Sequence, residues 1–71
     1  MTDLDTWTLT ILEQETGLVR VKDDVSLADE ELDDVFQAIE DEFDVFVTAV
    51  ERQGVQTVGD LLRLVREKVG A

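Results

Sequence analysis

The side chains of this protein capable of chemistry are chiefly carboxylates and hydroxyls. Asp23, Asp24, Asp29, Glu30, Glu31, Asp33, Asp34, Glu40, Asp41, Glu42 and Asp44 make a run of eleven acids with no base among them. Ser26, inside that run, is the only serine, and Cys, His, Tyr and Pro are absent. Without Cys or His there is no Cys/His zinc site, no disulfide, and no thiolate or imidazole to serve as nucleophile or base. Neighbouring acids such as Asp33 and Asp34, or Glu40 and Asp41, point about 100° apart on a helix and do not share a proton. The calcium-loop pattern with a central Gly and a closing Glu is missing as well. The expectation is a protein that is not an enzyme and holds no metal.

The carboxylates act instead through their field. Across 71 residues, 18 acids face 6 bases, a net charge of −12. Residues 1–22 contribute −2 and residues 45–71 contribute +1, so residues 23–44 carry almost all of it. Such a field steers basic partners and repels phosphate backbones and anionic membranes. The plainer reading is a solvated face that keeps the chain soluble. The longest apolar run is three residues, Val45-Phe46-Val47, which spans no bilayer. The first residues are acidic and lack an apolar signal core. A cytoplasmic monomer, free of nucleic acid and membrane, is expected.

An apolar content of 44% is ordinary for a globular chain, and 71 residues make one domain, 1–71. A domain this small buries only about 60% of its unfolded surface and needs a well-patterned core. Leu32, Val35, Phe36, Ile39 and Phe43 recur with helical spacing, the acids filling the other side, and predict a helix over Leu27–Phe43 capped by Ser26. Val58, Leu61, Leu62, Val65 and Val69 predict a second over Val58–Val69, with Thr57 and Asp60 at its start and Gly70 at its end. Between them, Thr48–Gln53 reads as a helical turn stopped by a left-handed Gly54 and pinned by Val47, Val50 and Val55. The first 22 residues have two readings. Leu4, Trp7, Ile11 and Leu12 share a helical face, whereas Trp7, Leu9 and Ile11 alternate with Thr6, Thr8 and Thr10 as in a strand. The all-α reading is favoured, and an α+β arrangement with an N-terminal hairpin is the alternative.

In order along the chain, Ile11-Leu12-Glu13-Gln14-Glu15-Thr16-Gly17-Leu18, then Val35 through Phe43-Asp44 (VFQAIEDEFD), then Thr57-Val58-Gly59-Asp60-Leu61 resemble the acyl carrier protein family. The resemblance covers most of the chain. It implies a right-handed bundle of three main helices and one short one. It also implies that acids of the second helix dock on basic patches of partner proteins; by position these are Glu31, Asp34, Glu40 and Asp41. An exposed ion pair is worth a few tenths to ~1 kcal/mol, so such acids chiefly steer and orient.

The family attaches 4'-phosphopantetheine to a serine in an Asp-Ser-Leu motif at the start of its second helix, and this chain has no such motif. The gapless match places Asp29 at the serine position, and aspartate cannot form that phosphodiester. Ser26 has three readings: a helix cap, a loop serine preceding the lost site, or the attachment site itself, which requires about one added helical turn before Phe43. Bulky Trp7, Phe36, Phe43 and Phe46 are expected to fill the core, at ~1.5–3 kcal/mol each. Three functions stay open: a carrier-like protein without an arm that presents an acidic helix to a basic partner; an acyl or peptidyl carrier modified at Ser26, in fatty acid, polyketide or nonribosomal peptide synthesis; and an unrelated acidic interaction module.

Overall fold

A computed structural model describes residues 3–28 and 30–70. Four helices follow in order: α1 (Leu4–Thr16), α2 (Asp33–Phe43), α3 (Ala49–Gln53) and α4 (Val58–Val69). The described residues form no strand beyond one isolated antiparallel bridge between Ser26 and Thr57. The fold is therefore an all-α bundle of three main helices and one short one. None of these helices is long and apolar enough to cross a membrane.

The N-terminal hairpin is overturned, and the threonines show how. In α1, Thr8 and Thr10 donate their hydroxyls to the carbonyls of Leu4 and Thr6 at 2.9 Å, and Thr16 donates to Leu12 at 2.7 Å. Back-bonding of this kind lets β-branched residues sit in a helix with their hydroxyls satisfied. Asp3 caps the start by accepting from the Asp5 N–H. Gly17 ends the helix at φ 79°, in the left-handed region, and donates its N–H to Glu13 at 2.8 Å.

α1 packs against both α2 and α4. Leu12, Val35, Phe36, Ile39, Leu61 and Val65 are sealed in the space between them, joined by Leu27 from the long connection. That connection corrects one expectation: α2 begins at Asp33, not Leu27. Leu27 is buried and its N–H donates to the Gln56 carbonyl at 2.8 Å, while Glu30 N–H turns back to Leu27. Tied to the start of α4, the segment cannot also enter α2. Nor does Ser26 cap α2. Its hydroxyl accepts from Ala28 N–H at 3.3 Å, and the N-cap of α2 is Leu32, which makes no side-chain cap bond.

The same connection completes α4. The N–H groups of Val58 and Gly59 donate to the carbonyls of Val25 and Asp23 at 3.0 and 2.9 Å. Thr57 and Asp60 form a capping box that satisfies further donors. Thr48 and Glu51 repeat that box on α3. Gly54 departs from the expected left-handed stop: it has φ −78° and closes α3 by donating its N–H to the Val50 and Glu51 carbonyls. Val47 and Val55 are buried as expected, whereas Val50 is 79% exposed.

The aromatic residues divide. Phe36 is buried, and Phe43 is half-buried with Trp7 edge-on at 5.1 Å. Trp7 is partly open and Phe46 is 72% exposed, so the expectation that all four fill the core fails for these two. A local rule buries whichever apolar residue falls on a helical stripe, and Phe46 lies between helices, where chain direction decides.

Among the described residues, three carboxylates outside α2 titrate below their usual range. Asp5 is lowered by its hydrogen bond from Arg66, whose Nε donates at 2.8 Å. Glu51 is lowered by Lys68, 2.7 Å away, and then by the Thr48 N–H. Asp60 is lowered by the Gln56 N–H and then by Thr57. A carboxylate that is more acidic in the folded than in the unfolded chain stabilises the fold above its unfolded pKa, near ~4. That contribution is lost as pH falls through the folded value. In melts between about pH 6 and pH 3, Asp5→Asn should therefore lose less of its melting temperature than the wild-type chain. An identical loss in both would show that the Asp5–Arg66 pair contributes nothing.

Candidate functional site

The acidic run divides between the long connection and α2. Asp23, Asp24, Glu30 and Glu31 lie in the connection; α2 carries Asp33, Asp34, Glu40, Asp41 and Glu42; and Asp44 follows as its left-handed cap at φ 55°. Asp is among the few side chains that tolerate this backbone. Asp29, which the sequence resemblance places at the family's serine position, lies outside the described residues.

Asp34 and Asp41 are exposed and seven residues apart, two turns along the same line of α2. Between them Gln37 donates from Nε2 to Asp41 Oδ1 at 3.1 Å. This line is opposite Phe36, Ile39 and Phe43, whose burial fixes the rotation of the helix. Glu31 is exposed too, but just before α2 and not on it.

Glu40 is placed differently. Its side chain is 13% exposed, one oxygen accepts the Val47 N–H at 2.8 Å, and the other accepts from Arg52 Nη2 at 3.4 Å. Arg52 in turn lies over the Phe36 ring, 5.3 Å from its centre. Glu40 also receives the N–H groups of Asp44 and Val45 on its main-chain oxygen. Both ends of this residue thus hold the connection from α2 to α3. A local signal existed: Glu40 follows Phe36 by four residues and so borders the apolar stripe. Its partners Val47 and Arg52, seven and twelve positions on, are set by the tertiary fold.

The charge arrangement opposes helix stability at one end. Asp33 and Asp34 in the first turn suit the helix dipole, whereas Asp41 and Glu42 near the other end do not, and no base stands in the last turn of α2. α1 likewise ends without a base, while α4 follows the rule with Arg66 and Lys68. Acids at a helix C-terminus forgo roughly 0.3–1 kcal/mol each.

Ser26 is exposed, opposite Thr57 in the bridge, seven positions before the first residue of α2. Among the described residues no group of three or more His, Cys, Asp or Glu is arranged to hold a metal ion. A shallow cavity of about 190 Å³ lies elsewhere, between α3 and α4, lined by Glu51, Asp60, Arg63 and Glu67 beside Gly54, Val55 and Leu64. Its polar rim makes it a poor receptacle for an acyl chain. No family model matches the chain, and neither does any curated protein or solved structure.

Proposed function

We propose that the protein is a small acidic docking module, built like an acyl carrier protein, that presents α2 to a basic surface of a partner protein and carries no phosphopantetheine arm. The observation that carries this reading is the exposed line of Asp34 and Asp41 on a helix that has no base and ends in acids against its own dipole. Folding alone gives no reason for acids at that end. Glu31 extends the charged surface beyond the helix, and Glu40 supports it from within. Solubility would be served by acids anywhere; their concentration between residues 23 and 44 favours directed attraction.

The carrier alternative has one observation on its side, the exposure of Ser26. Against it, Ser26 lies in a bridge held to α4, away from the start of α2 where the family resemblance would put an arm. Intact-mass measurement after incubation with coenzyme A and a broad-specificity phosphopantetheinyl transferase should give an unchanged chain. A mass increment that disappears in Ser26→Ala would establish the carrier reading instead.

Docking itself is tested by capture from the native lysate at low and high salt. Proteins held by the wild-type chain at low salt should be released at high salt and should not be held by Asp34→Lys/Asp41→Lys. Capture unaffected by both changes would contradict the proposal.

A further inference from the structure

Phe46 and Val50 are 72% and 79% exposed, the most open large apolar side chains besides Val19 among the described residues. Val50 follows Phe46 by four positions, a span of at most about 14 Å. Phe46 is not a loose tip. Val45 before it is half-buried and Val47 after it is buried, so Phe46 faces outward between two neighbours that face inward. Glu40 fixes that segment at both ends, through the Val45 and Val47 N–H groups at 3.2 and 2.8 Å. Val50 stands on the first turn of α3, which its capping box holds in place.

A rigidly presented apolar pair in a small domain forgoes burial that the fold could use, and rigid apolar anchors are what protein interfaces need at their centre. The surroundings define the occupant. Asp41, Glu42 and Asp44 are exposed on the α2 side of Phe46, and the two bases that reach α3 are both engaged, Arg52 by Glu40 and Phe36 and Lys68 by Glu51. A second copy of the chain would bring its own charge of −12 against these acids. We infer that Phe46 and Val50 form the apolar anchor of the docking surface, and that the partner presents an apolar side chain ringed by Lys or Arg. The inference rests on the proposed acidic docking role and adds the chemistry of the contact at its centre.

The probe is a synthetic helical peptide with lysines around a central leucine, compared with the same peptide carrying alanine there. Binding is read by fluorescence anisotropy and amide shift mapping of the full chain. The leucine peptide should shift residues in the 41–50 stretch and bind about tenfold more tightly than the alanine peptide. Phe46→Ser and Val50→Ser, each with an unchanged far-ultraviolet circular dichroism spectrum, should each remove most of that preference. Equal binding of the leucine peptide by both variants and the wild-type chain would overturn the anchor. If Asp34→Lys/Asp41→Lys still abolished binding in that case, the acidic docking role would stand without it; if it did not, both would fall. A wild-type dimer in sedimentation that Phe46→Ser dissolves would also overturn the inference, by making a second copy the occupant.

Discussion

Phe36→Ala should destabilise the protein by about 3–5 kcal/mol. The side chain is 1% exposed and touches the part of the core shared by α1, α2 and α4. Its removal costs the transfer energy of the ring and leaves a cavity that rigid neighbours fill poorly. It also removes the surface on which the Arg52 guanidinium lies, 5.3 Å from the ring centre. A 71-residue domain has roughly 4–10 kcal/mol of stability at the usual value per residue, so the loss takes about a third of it or more and, at the lower end of that range, leaves the variant largely unfolded at room temperature. Phe36→Leu, which keeps most of the volume, should lose about 1.5 kcal/mol or less. Urea titrations followed by circular dichroism measure both. Equal, small losses would mean that Phe36 does not occupy the centre of the core.

Glu40→Ala should cost about 1.5–3 kcal/mol, a large effect for an acid on a strongly acidic chain. Removing one negative charge relieves repulsion, so charge alone predicts stabilisation. Opposing it, the buried Val47 N–H loses its acceptor, and Arg52, whose Nε is already buried without a partner, loses its carboxylate. Glu40→Gln makes the same charge change yet keeps an oxygen for Val47, so it should lie between wild type and alanine. Hydrogen exchange at Val47 should accelerate most in the alanine variant. Stabilisation of both variants would show that Glu40 acts as one more repelling acid and that the inward contacts are weak.

These two residues also show what the sequence can disclose. Phe36 lies on an apolar stripe of helical period, and its burial follows from spacing alone. α4 was legible to the residue because its caps, Thr57 with Asp60 and Gly70, act within one turn of the positions they close. The start of α2 was not, because Leu27 obeys a hydrogen bond to Gln56, 29 positions away, over a favourable local helix pattern. In α1 the pattern itself was divided: the threonines favour a strand until their hydroxyls find carbonyls four residues back. The acids of the candidate site were visible as composition, and Asp34 and Asp41 as positions off the apolar stripe. That Glu40 turns inward and Phe46 outward depends on the path between α2 and α3, which no local rule specifies.

The central claim, attraction through the outer acids of α2, is tested most directly by the affinity of a captured and purified partner across a salt series. Wild-type chain and Asp34→Lys/Asp41→Lys would be compared by calorimetry. Wild-type affinity should fall steadily as salt rises, and the double variant should bind more weakly at low salt and converge with wild type at high salt. A flat salt dependence with equal affinities for the two chains would contradict the account.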